Sequence, residues 1–72
     1  MRELIRYKGF TIDAEAIELH RLWTWLHWRI KDDGERAGPY IPERRERHHT
    51  AKSALTSAFK NGKKRIDADQ LL

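Results

Sequence analysis

Four histidines, His20, His27, His48 and His49, are the residues best suited to metal or acid–base chemistry in this 72-residue chain, which has no cysteine. Zinc sites take three or four ligands in fixed geometry, and a thiolate site is excluded. Adjacent His48 and His49 cannot turn both rings to one ion on a strand, and no HExxH spacing is present. No metal and no cofactor are expected. Ser53 and Ser57 have no evident paired histidine and aspartate. Asp13, Glu15 and Glu18 lie close in sequence but read as a solvated face. A general base at His48 or His49, as in a small RNase, is the catalytic reading that remains. No phosphate-binding glycine loop and no dinucleotide fingerprint occur. The expectation is a non-enzyme.

Recognition is the second chemistry the residues offer. In residues 22–30, LWTWLHWRI, a period of two puts Leu22, Thr24, Leu26, Trp28 and Ile30 on one side. Trp23, Trp25, His27 and Arg29 fall on the other. The first side is apolar and is predicted to build the core. The second is predicted to face away from the rest of the fold as a partner-binding surface. Indoles with arginine are typical hot-spot residues, and they also make platforms on which unpaired bases stack. Burial against a second copy, or in an ordinary core, are the competing readings. Arg44, Arg45 and Arg47, with His48 and His49, are expected at the rim. Glu43 and Glu46 weaken their field, and a solvated charged loop competes. Lys52, Lys60, Lys63 and Lys64 mark a secondary basic surface, against the plainer reading of an exposed helix face.

Charge points the same way. The chain carries a formal +4. Residues 1–40 balance seven Lys/Arg with seven Asp/Glu, whereas residues 41–72 hold eight against four. The excess is C-terminal and suits nucleic acid, a nucleoprotein or an acidic protein surface, with plain solubility as the alternative. The charged N-terminus, MRELIRYKGF, does not read as a secretory signal, and no apolar run approaches a membrane span. A soluble, cytoplasmic protein is expected, as one small domain of 72 residues stabilised by packing or by association.

These residues need elements to hold them. Gly9 marks a turn after residues 2–7. Phe10, Ile12, Ala14 and Ala16 alternate with polar residues, as in a strand. The same stretch, DAEAIELHRL, has strong helix propensity, and Ile12, Ala16, Leu19, Trp23, Leu26 and Ile30 also trace a helical stripe. Strands are favoured because three tryptophans with Thr, Leu and Ile suit a pleated surface. The connection at His20-Arg21 lacks a turn signal. The predicted sheet spans about residues 3–31. Residues 32–49 form a basic loop or edge strand bounded by prolines. An amphipathic helix follows over about 50–65, with Thr50 as N-cap and Ala51, Ala54, Leu55, Ala58, Phe59, Gly62 and Ile66 on its inner face. Asn61-Gly62 reads alternatively as its C-cap. The tail, 66–72, has no assigned role.

The set Tyr7-Lys8-Gly9-Phe10-x-Ile12, Ala14-Glu15, Trp23, an apolar strand to Ile30, Thr50-x-x-x-Ala54 and Ile66-Asp67 resembles a loose group of small bacterial and prophage proteins. That group has a two- or three-stranded antiparallel sheet and one C-terminal helix. The resemblance implies a β-β-(β)-α architecture. By size and lifestyle it extends to anti-defence inhibitors such as anti-CRISPR proteins. The expectation is therefore α+β, a small antiparallel sheet with one helix packed on one face; two or three helices are the alternative. The expected function is non-catalytic binding to a nucleic-acid-handling protein complex. Direct DNA or RNA binding by the aromatic-basic face is the other reading, and a homodimer is possible.

Overall fold

The computed structural model describes residues 1–42 and 46–70. Strand β1 (Arg2–Tyr7), β2 (Phe10–Leu19), β3 (Leu22–Lys31) and β4 (Arg36–Tyr40) precede helix α1 (Ala51–Gln70). The strands form one antiparallel sheet in the order β1-β2-β3-β4, with α1 across one face. The fold is α+β as expected, with four strands rather than two or three. The all-helical alternative fails because residues 10–31 are a strand pair.

Both long hairpins close through two residues with positive φ. Lys8 and Gly9 have φ of 46° and 79°, and His20 and Arg21 have φ of 52° and 67°. Two positive φ values match the right-handed twist of the flanking strands, so this is the favoured hairpin turn. At His20-Arg21 it forms without glycine or asparagine. The ten-pair register from Phe10 opposite Lys31 to Leu19 opposite Leu22 leaves those two residues as the loop. A one-residue slip would turn every side chain to the wrong face.

Strand β4 lies earlier than the proline-bounded segment suggested. Pro39 is tolerated because β4 is an edge strand that pairs with β3 alone. A β-bulge falls between His27 and Arg29, and the Gly38–Pro39 peptide is cis. Gly38 has φ 123°, and a Cβ there would sit 3.0 Å from the His27 carbonyl oxygen. Only glycine fits that approach.

Helix α1 begins at the expected cap, where Thr50 Oγ1 accepts a hydrogen bond from the Ser53 backbone N–H at 3.0 Å. It runs past residue 65 to Gln70, so Asn61-Gly62 is helix interior rather than C-cap. Gly62 brings the helix close to the sheet there: a Cβ would lie 3.1 Å from Ile12 Cδ1 and Cγ2, so Ile12 would have to give by a few tenths of an ångström. Ile66, at the start of the supposed tail, is fully buried.

The core lies between the sheet and α1. Ile12, Ala14, Ala16 and Trp25 meet Ala54, Leu55, Ala58 and Ile66, with Trp23, Tyr40 and Phe59 at the edges. The helix contributes mostly small residues, so the sheet must contribute the large ones. Burying one indole removes about 150–250 Å² from water, worth about 4–6 kcal/mol at most.

Candidate functional site

The packing of small helix residues against large sheet residues decides which side of β3 faces inward. Trp23, Trp25, His27 and Arg29 lie on the helix side, the reverse of the predicted placement. Trp25 is 2% exposed and His27 0%. Trp23 and Arg29 are half-buried. The proposed exposed aromatic platform does not exist. The open face of the sheet instead carries Leu22, Thr24, Leu26, Trp28 and Ile30.

Polar pairing fixes the choice. The Trp25 Nε1–H donates to Glu46 Oε2 at 2.8 Å. Ser57 Oγ donates to Glu46 Oε1 at 2.6 Å, and His48 Nε2 faces the same oxygen at 3.1 Å. Burial pushes the Glu46 carboxyl up, but Ser57, Trp25 and His48 outweigh it and hold it below the ordinary range. His48 Nδ1 is 2.9 Å from Ser53 Oγ. Backbone bonds between Trp23 and His48 at 2.7 and 2.8 Å complete the join. Ser53, His48 and Glu46 stand in the order of a serine–histidine–acid relay. However, both Glu46 oxygens also hold Trp25 and Ser57. The cluster therefore works as a clamp that fastens residues 46–49 to β3 and α1.

Further along β3, His27 stacks between Trp25 and Tyr40, with ring centroids 5.6 and 5.4 Å away. His27 Nε2 lies 3.0 Å from Asn61 Oδ1, and Arg65 Nε donates to the same oxygen at 3.2 Å. The amide oxygen only accepts, so Nε2 carries the proton. Nδ1 is buried with no hydrogen-bond partner. Burial, with Arg29 and Arg65 nearby, lowers the His27 pKa despite the Asn61 bond. The Arg65 guanidinium lies 3.6 Å from the Tyr40 ring centroid and seals this end.

The remaining predicted residues divide in two. Arg44 and Arg45 lie outside the described residues. Arg47 is exposed and donates to the Leu19 carbonyl at 3.4 Å, near the His20-Arg21 turn. Lys52, Lys60, Lys63 and Lys64 are all exposed on the outer side of α1. Sequence reasoning missed Tyr7, Lys8 and Asp67, which extend this basic surface. The Tyr7 hydroxyl donates to Asp67 at 2.9 Å, and Lys8 Nζ pairs with Asp67 at 2.7 Å. Lys8 and then Tyr7 hold the Asp67 carboxyl below its ordinary range. Lys63 Nζ sits 5.5 Å from the Tyr7 ring centroid. Together they border a shallow depression lined by Tyr7, Lys60, Lys63, Lys64, Asp67 and Ala68. No local sequence signal links Tyr7 with Asp67, which lie sixty positions apart.

Among the described residues, no group of three or more His, Cys, Asp or Glu side chains gathers where it could hold a metal ion. No helix among them is long and apolar enough to cross a membrane. No family model, curated protein or solved structure matches the chain.

Proposed function

We propose that this chain is a non-catalytic accessory protein that docks on a nucleic-acid-handling protein complex and modulates it, as the anti-defence resemblance implies. The docking face is the outer side of α1. The observation that carries this reading is the exposed lysine surface around Tyr7, with the predicted aromatic face sealed beneath the helix. Helix α1 carries five cations and two carboxylates, so most of the chain's positive excess is concentrated there. Such a field steers an acidic partner and sets register more than it supplies affinity. Tyr7 adds an amphipathic ring of the kind enriched at protein interfaces. Asp67 and Asp69 interrupt the lysines. That suits a shaped acidic protein surface better than a uniform phosphate backbone, which rewards unbroken cation density.

The test compares the tagged wild-type chain with a Lys60→Glu, Lys63→Glu, Lys64→Glu variant in bacterial lysate at about 0.15 M salt, where exposed charges more than about 8 Å apart are screened. The wild type should retain a DNA- or RNA-handling complex and the variant should lose it. Equal retention refutes the docking face. If the purified wild type shifts bare duplex DNA or RNA, with affinity falling steeply with salt at about 0.9 log units per phosphate contact, the chain is a direct nucleic-acid binder instead.

A further inference from the structure

We propose that the helix-free face of the sheet is buried against the same face of a second copy of this chain. This inference concerns the opposite side of the molecule from the α1 docking face and stands apart from it.

The distribution of apolar bulk points to this arrangement. The side facing α1 is filled by α1 itself: Ala14, Ala16, Ala54, Ala58 and Gly62 let the helix lie close, and Ile12, Trp25, Leu55 and Ile66, with Trp23 at the edge, fill the space between. The open side carries Leu4, Ile17, Leu22, Leu26, Trp28 and Ile30. Leu4 is 59% exposed, and Leu19 at the end of β2 is 49% exposed. A half-buried stripe of large aliphatic and indole groups thus runs along β3; the Arg36 guanidinium lies 5.0 Å from the Trp28 ring centroid, and no strand or helix among the described residues covers the rest. A cavity of about 300 Å³ continues it at the His20-Arg21 end, lined by Leu19, Leu22, Ile41 and Pro42 together with the oppositely charged Glu46 and Arg47. Contiguous apolar patches of this kind mark interaction sites.

Charge selects the occupant. On this face and its rim, Arg2 bonds Asp13, with its Nε 2.8 Å from Oδ1. Arg36 lies 3.7 Å from Asp13, and Arg6 pairs with Asp32 at 2.6 Å. Glu15 stands opposite Arg2 in the register. Three arginines are matched by three carboxylates, so the face is neutral although the chain carries +4. Two copies meeting here bring no net repulsion, and their lysine-rich helices point outward. A strongly acidic or basic partner would find nothing to complement.

The size also fits. The molecule measures 37 × 20 × 15 Å along its principal axes. Ten-residue strands of about 33 Å in a sheet about 15 Å wide give roughly 500 Å² in projection, and corrugation by side chains raises this to on the order of 700 Å². That approaches the ~800 Å² per partner of a standard interface. Two sheets packed face to face, about 10 Å apart, make a sandwich whose isologous contact closes at two chains.

Sedimentation equilibrium on the full chain tests this. The wild type should sediment at twice the 8.6 kDa chain mass. Leu26→Lys and, separately, Leu22→Lys should sediment at one chain mass with wild-type circular dichroism. Lys60→Glu, on the helix side, should remain dimeric. A wild type that stays at one chain mass at the highest attainable concentration overturns the proposal and leaves the face to a different protein. A dimer that survives both lysine substitutions, or that Lys60→Glu dissociates, places the contact elsewhere and equally overturns it.

Discussion

His27 makes the fold acid-sensitive in a window above the range where carboxylates titrate. Its ring is 0% exposed, stacked between Trp25 and Tyr40, and donates from Nε2 to Asn61. Nδ1 has no partner, and protonating it places a cation beside Arg29 and Arg65. The folded pKa is therefore lowered, and the unfolded chain binds the proton more readily. Stability is fully present above the ordinary imidazole value of about 6.5. It falls as pH drops below that value and levels off once pH passes the folded pKa. The slope approaches, at most, about 1.4 kcal/mol per pH unit for this one group. A 72-residue domain has only about 4–10 kcal/mol in total, so even part of that slope is a visible fraction. His27→Phe keeps the ring stack and removes the orphan nitrogen. It loses the Asn61 bond, worth about 1 kcal/mol, and relieves a buried unpaired polar atom that costs about 1–3 kcal/mol. Near pH 7.5 the variant should lie within about 1 kcal/mol of wild type, and near pH 5 it should be the more stable of the two. Urea midpoints followed by tryptophan fluorescence across that range measure both slopes. Asp13, Glu46 and Asp67 all have lowered pKa values, so their contributions are lost at more acid pH, outside this window. Parallel pH profiles for wild type and His27→Phe would refute the assignment.

Two further substitutions test the fold around the site. Trp25→Ala should destabilise by about 3–5 kcal/mol and bring the chain close to unfolding at ambient temperature, because it empties the core and strands Glu46; thermal melts that match wild type would show the ring to be dispensable. His20→Asn with Arg21→Gly should stabilise by about 1 kcal/mol, raising Tm by roughly 4–8 °C, by relieving two left-handed non-glycine residues; calorimetry showing no rise would mean the turn is not strained.

Strands β2 and β3 were legible in the alternation of their residues, and α1 in its three- and four-residue spacing. Alternation names two faces but does not say which turns inward. That choice rests on partners distant in sequence: Trp25 with Glu46, His27 with Asn61, and broad rings against the alanines of α1. The more apolar side of β3 looked like the core, yet indole and imidazole reached their polar partners only on the helix side. The His20-Arg21 turn carried no glycine signal because register, not turn chemistry, closes it. An edge strand was one of two readings for residues 32–49, but the bounds of β4 were hidden because its sequence, RAGPY, is short and holds both a glycine and a proline. Gly62 read as a terminus because its close approach to Ile12 lies across the core, out of reach of local sequence. Asp67 had no visible role because its partners, Tyr7 and Lys8, lie at the other end of the chain.

The resulting molecule separates its surface chemistry by face. Charges on the sheet face cancel in place, whereas those on α1 accumulate, so long-range attraction comes from one side and apolar contact from the other. Charge reversal at Lys60, Lys63 and Lys64 alters the first without touching Leu26 or Trp28, and Leu26→Lys alters the second without touching the helix. The two surfaces are nonetheless linked by geometry. In the proposed dimer, pairing through the sheets would set two lysine faces on opposite sides of one particle, which would raise the apparent affinity for a target presenting two acidic sites within reach and leave a single-site target unaffected.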